Sequence, residues 1–118
     1  MCSRKELDII LEKLMDAYQK VYGSAIDKIL LYGSYASEDY KEDSDIDVVA
    51  IVHGRREELQ NQLKQIWDYS AELELEYEII LSPTVIPFDE FERYKDDLPY
   101  YRNIFKEGVV ISAWCKRL

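Results

Sequence analysis

Cysteine, histidine, proline and glycine are all scarce in these 118 residues, at two, one, three and four copies. Cys2 and Cys115 stand near opposite termini without a CxxC pair, and His53 has no companion, so neither a disulfide framework nor a Cys/His zinc site is expected. With Pro and Gly so sparse and 47% of residues hydrophobic, a disordered or fibrous chain is excluded. One packed domain over residues 1–118 with a single core is expected instead. Positive charge is also in deficit: 15 Lys and Arg against 24 Asp and Glu leave a net charge of −9, which repels phosphate backbones and argues against a general nucleic-acid binder. Long apolar runs are missing too. The N-terminal MCSRKELDIILEKL carries charges in its first turns, so it reads as neither signal peptide nor membrane span, and the cytoplasm is the expected location.

What is present is periodic. From Lys5 to Tyr22, the positions Leu7, Ile10, Leu11, Leu14, Tyr18, Val21 and Tyr22 follow the three-and-four spacing of an amphipathic helix, with Ser3 and Glu6 spaced as a capping box. Ile26 to Tyr32 is a buried strand ending at Gly33, and Asp45 to Val52 (DIDVVAIV) is a central strand, apolar on both faces beyond its aspartates. Leu59, Leu63, Ile66 and Trp67 give one face of a helix between Arg55 and Ser70. Leu73 to Leu81 alternates Leu, Tyr and Ile with Glu74, Glu76 and Glu78, which predicts a half-exposed strand. Phe88, Phe91 and Tyr94 suggest a short helix, Pro99 opens another that Gly108 caps, and Val109 to Ile111 suits an edge strand. No internal repeat or linker divides the chain.

The chemistry concentrates in Tyr32 to Val52, where a strand ends in Gly33-Ser34, ten residues intervene, and Asp45-x-Asp47 opens the next strand. Gly33 lets the backbone approach a ligand without a side chain in the way, and the Ser34 amide and hydroxyl suit a phosphate. Asp45 and Asp47, two apart on one strand, project to the same face roughly 6.5 to 7 Å apart along the chain. Two such carboxylates resist a triphosphate unless a hard divalent cation such as Mg²⁺ reverses the sign of the site. Glu78 on the alternating strand is the candidate third carboxylate, with Glu76 in reserve. His53, at the end of the central strand, is read as a surface residue without a catalytic role. Tyr100 and Tyr101 beside Phe105 are read first as packing and second as a partner-facing aromatic patch.

Gly-Ser, ten residues, then Asp-x-Asp resembles the signature of the DNA polymerase beta nucleotidyltransferase superfamily, and the length resembles its minimal nucleotidyltransferase branch. That resemblance implies a palm-like α/β fold, with a mixed sheet of about four strands and helices mainly on one face. It implies Asp45, Asp47 and Glu78 as catalytic metal ligands, Gly33, Ser34 and Ser44 as nucleotide contacts, and Mg²⁺ with ATP or another nucleoside triphosphate. Two departures stand out: Glu78 replaces the family's aspartate, and Ser37-Glu38 replaces an Arg-Gly pair, with Lys41, Arg55 or Arg56 as substitute cations.

Minimal-branch members work with a small helical HEPN protein and attach AMP to its tyrosine, so the resemblance implies AMP transfer to a partner hydroxyl, as an antitoxin within a homo- or hetero-oligomer. A nucleotide-and-metal platform of this size is not expected to carry a second domain for an acceptor, so the acceptor site is expected to come from elsewhere. The rivals are a non-catalytic antitoxin that neutralises a HEPN partner by binding alone and, ranked last, transfer to a small molecule.

Overall fold

The DIDVVAIV run becomes the strand on which both layers of the molecule pack. In the computed structural model, which describes residues 4–33 and 45–111, helix α1 (Arg4–Tyr22) passes through a 3₁₀ turn (Gly23–Ala25) into β1 (Ile26–Tyr32). Then follow β2 (Ile46–Val52), α2 (Arg56–Tyr77), β3 (Leu81–Pro87), α3 (Phe88–Tyr94), α4 (Pro99–Glu107) and β4 (Val109–Val110). The sheet order is β3-β2-β1-β4, with β2 and β3 parallel and the other pairs antiparallel. This is the mixed four-stranded α/β sheet expected. The Ser3 cap lies outside the described residues.

Alternation along β2 decides the layers. Ile46, Val48, Ala50 and Val52 pack with Ile10, Leu11 and Leu14 of α1 and Leu63 and Ile66 of α2 in the larger core. Val49 and Ile51 face the other way, into a smaller core of Leu30, Ile86, Phe91, Tyr101 and Ile104. The two long helices therefore share one face and the two short ones cover the other. By the same alternation Asp47 stands on the side of Val49 and Ile51, at the rim of the smaller core. Among the described residues no helix is long and apolar enough to cross a membrane.

The strand expected over Leu73 to Leu81 is not formed; α2 continues to Tyr77. Leu and Glu are strong helix formers, and Leu63, Ile66, Ser70 and Leu73 extend the buried three-and-four stripe, while Leu75 is left 85% exposed. The strand begins later, at Leu81, and holds both Pro83 and Pro87 because it is an edge. Its outer side is closed off: the Leu81 N–H donates to Glu74 Oε2 at 2.9 Å, and Trp67 Nε1 donates to the Pro83 carbonyl at 3.0 Å.

Two tyrosine hydroxyls tie the larger core. Tyr18 donates to the Thr84 carbonyl at 2.9 Å and Tyr22 to the Leu59 carbonyl at 2.7 Å. Burial raises both groups, Tyr22 to about 12. A folded pKa above the unfolded value, about 10, gives stability that is complete below pH 10 and is lost as pH rises through the folded value. Urea unfolding is thus expected to show falling stability above about pH 10. Tyr22→Phe is expected to flatten part of that fall and to cost about 1 kcal/mol at neutral pH. Equal alkaline slopes in the two proteins would contradict the assignment.

Candidate functional site

Asp45 is exposed at the entrance of β2, and Asp47, its second residue, is half-buried. Their spacing puts both on one face of the sheet. Burial, and then the charge of Asp45, hold the Asp47 carboxyl above the usual carboxylate range. Across the antiparallel pair Asp47 stands opposite Tyr32, the last residue of β1. Gly33 follows with φ +82°, in the left-handed region, and a β-carbon there would lie 2.7 Å from Asp47 Oδ2. The bend is therefore pressed against the inner carboxylate, an approach only glycine allows.

Gly33→Ala is expected to displace the Asp47 carboxylate while straining the backbone by about 1 to 2 kcal/mol. The expected result is weakened nucleotide-metal binding with a small loss in thermal stability. Unchanged binding would show that the close approach has no functional consequence.

The third carboxylate is where sequence and structure part. Glu78, expected on a strand face, is the left-handed C-cap of α2, at φ 53°, and is exposed. The reserve choice, Glu76, faces Lys13 at 3.8 Å on the helix surface. Among the described residues no third Asp, Glu, His or Cys joins the pair in a metal-holding group. On β3 the register partner of Asp47 is Ser82, which by the parallel pairing shares its face, so a hydroxyl stands where a neighbouring strand would offer a carboxylate. Ser34 and Ser44, with Ser37, Glu38 and Lys41, lie outside the described residues.

Arg56 is not a substitute phosphate contact. Its guanidinium grips Glu90 of α3, with Nη2 2.7 Å from Oε1 and Nε 3.1 Å from Oε2, and Nη2 also reaches the Tyr101 hydroxyl at 3.2 Å. Arg55 and Arg56 follow the C-terminal end of β2, roughly 20 Å along the strand from Asp45 at about 3.3 Å per residue. His53, at that end, packs its ring 4.2 Å from Phe88 and donates its backbone N–H to the Ala25 carbonyl, a structural position.

Sequence reasoning passed over Tyr32 and Tyr100 at the site. Tyr100, in the first turn of α4, stands edge-on to Tyr32 with ring centroids 6.2 Å apart. Burial raises its hydroxyl, and the Asp47 charge is the next cause. The missed signal was the cross-strand register, which puts the residue before Gly33 opposite Asp47. Tyr101 is buried in the smaller core, whereas Tyr100 and Phe105 are half-exposed, so the aromatic group divides between packing and surface.

The donor set fits a hard divalent cation: two carboxylates on one face, the inner one burdened by its neighbour's charge, which a cation relieves. Residues 8–111 match the nucleotidyltransferase domain family. Two proteins of Methanocaldococcus jannaschii, provisionally named protein adenylyltransferases, are similar to the chain. One is 28% identical over 101 residues, covering 86% of this chain and 93% of the relative. The other is 27% identical over 96 residues, covering 75% and 95%. A crystal structure of a provisionally assigned nucleotidyltransferase from Sulfolobus solfataricus shares the fold, with TM-score 0.52 and 17% identity over 91% of this chain and 77% of that one.

Proposed function

This chain belongs to the nucleotidyltransferase domain family, and from that premise we propose that it transfers AMP from ATP to a hydroxyl on a partner protein. Asp45 and Asp47 would hold Mg²⁺ and the bend at Gly33 would seat the phosphates; contacts from Ser34 and Ser44 are carried by the family resemblance alone. The observation that carries this reading is the Gly33 backbone pressed on the Asp47 carboxylate beside Asp45, which sets the glycine bend directly against a cation-seeking pair. When bound, the cation supplies positive charge against the triphosphate and the departing pyrophosphate.

The acceptor oxygen forms a bond to the α-phosphorus as the bond to the β-phosphate oxygen breaks, and pyrophosphate leaves. Asp47, the half-buried inner carboxylate of the pair, would take the hydroxyl proton. A protein acceptor is supported by the names of the Methanocaldococcus jannaschii relatives. The likeness to minimal nucleotidyltransferases supports a HEPN-type helical protein as that acceptor, an antitoxin role in the cytoplasm, and a hetero-oligomeric complex.

One observation favours a second reading, neutralisation of the partner by binding alone: Ser82 rather than a carboxylate neighbours Asp47 on β3. Both readings are tested by mixing the chain with a HEPN-type protein, ATP and Mg²⁺ and recording the partner's intact mass. The gain of one adenylyl group, lost in Asp45→Ala and Asp47→Ala, is the expected result. Neutralisation that survives both changes with no mass gain would replace catalysis by binding.

A further inference from the structure

The phosphates and metal occupy one end of a nucleoside triphosphate; its base needs a surface of its own. Bases stack on aromatic side chains because both present flat, polarisable faces. Tyr100 is 48% exposed, although the other apolar anchors of α4 toward the smaller core, Tyr101 and Ile104, are buried. Its contact with Tyr32, 6.2 Å between centroids at an interplanar angle of 87°, fixes the ring rather than covering it. Tyr32 in turn stands opposite Asp47 and directly before Gly33. The exposed ring is thus linked through one residue to both the carboxylate pair and the bend.

Among the described residues, exposed apolar side chains at this end of the sheet also include Ile80, 51% exposed on the β3 side, where its carbonyl accepts the Ile46 N–H, and Val109, 43% exposed on β4 opposite Leu31. Neither offers a planar face. Trp67, the largest exposed aromatic, is committed through its indole N–H to Pro83 and belongs to α2, which packs on the opposite face of the sheet.

Resting on the nucleotidyl-transfer reading above, we propose that Tyr100, braced by Tyr32, is the platform on which the base of the nucleoside triphosphate stacks, making it a binding residue that favours purines over pyrimidines. A platform of this kind selects by stacking area, and a purine covers more of the ring than a pyrimidine does.

The test compares Mg²⁺-dependent binding of ATP, UTP and inorganic tripolyphosphate to the full chain by calorimetry, in the wild type, Tyr100→Ala, Tyr100→Phe and Ile80→Ala. Tyr100→Ala is expected to weaken ATP by about ten-fold, to narrow the ATP-over-UTP preference, and to leave tripolyphosphate unchanged. Unchanged tripolyphosphate binding also reports an intact fold. Tyr100→Phe keeps the stack and is expected to behave as wild type, as is Ile80→Ala. ATP affinity unchanged in Tyr100→Ala, or lost in Ile80→Ala instead, overturns the platform while leaving nucleotidyl transfer standing. A wild type that binds neither ATP nor tripolyphosphate overturns the nucleotidyl-transfer reading and the platform with it.

Discussion

Alanine at Asp45 or Asp47 is expected to lower AMP transfer by about 10³-fold or more, since the charge that gathers the cation is halved at the reacting centre. The accompanying change in stability has the opposite sign from most substitutions. Asp45 is exposed, so its loss removes no packing, and Asp47 is held above its ordinary proton affinity by burial and by Asp45. Removing either charge relieves that repulsion, so Asp45→Ala and Asp47→Asn are expected to melt at or above the wild-type temperature. Loss of activity with gained or equal stability is the mark of a site held under electrostatic strain for its task. Transfer rate and thermal melting measured on the same preparations check both halves. A variant that keeps its rate, or that loses rate only in step with unfolding, would contradict the assignment.

Phe91→Ala is expected to produce the largest stability loss. Phe91 is fully buried among Leu30, Val49, Ile51, Ile86, Tyr101 and Ile104, and its ring lies 6.0 Å from that of Tyr101. Truncating a buried phenylalanine costs about 3 to 5 kcal/mol, which corresponds to a melting-temperature drop of more than about 10 °C. The functional reach follows from position. The smaller core is what docks α3 and α4 against the face that carries Asp47, and α4 presents Tyr100. Hydrogen exchange in Phe91→Ala should therefore rise in α3 and α4 before α1 and α2, whose larger core is separate. Uniform exchange across all four helices would show that the two cores do not act as distinct layers.

The strands and helices whose patterns had one interpretation were legible in the sequence. Ile26–Tyr32 and Ile46–Val52 are apolar runs too short and too closely bounded for helices, and Pro99 sits at the start of α4, where its missing N–H costs nothing. The carboxylate pair and the Gly33 bend could be read because i and i+2 positions on a strand share a face and because Gly tolerates the left-handed region. Leu73 to Tyr77 was ambiguous: alternate Leu and Glu satisfy a strand period while both residue types favour a helix, and the buried stripe arriving from Leu63 and Ile66 decided for the helix. That single decision removed Glu78 from any strand face. Ser82 and Tyr100 were not legible because the place of Ser82 beside Asp47 depends on strand register, and that of Tyr100 against Tyr32 on how a later helix docks, long-range properties that local periodicity does not carry.

Binding of Mn²⁺ in the presence of a non-hydrolysable ATP analogue, followed by the EPR signal of the free ion, addresses the metal-nucleotide site most directly. Saturable, nucleotide-dependent uptake by the wild type, weakened by about ten-fold or more in Asp45→Asn and in Asp47→Asn, is the expected result. Equal uptake by the wild type and both variants would mean that the two aspartates at the mouth of β2 do not hold the cation.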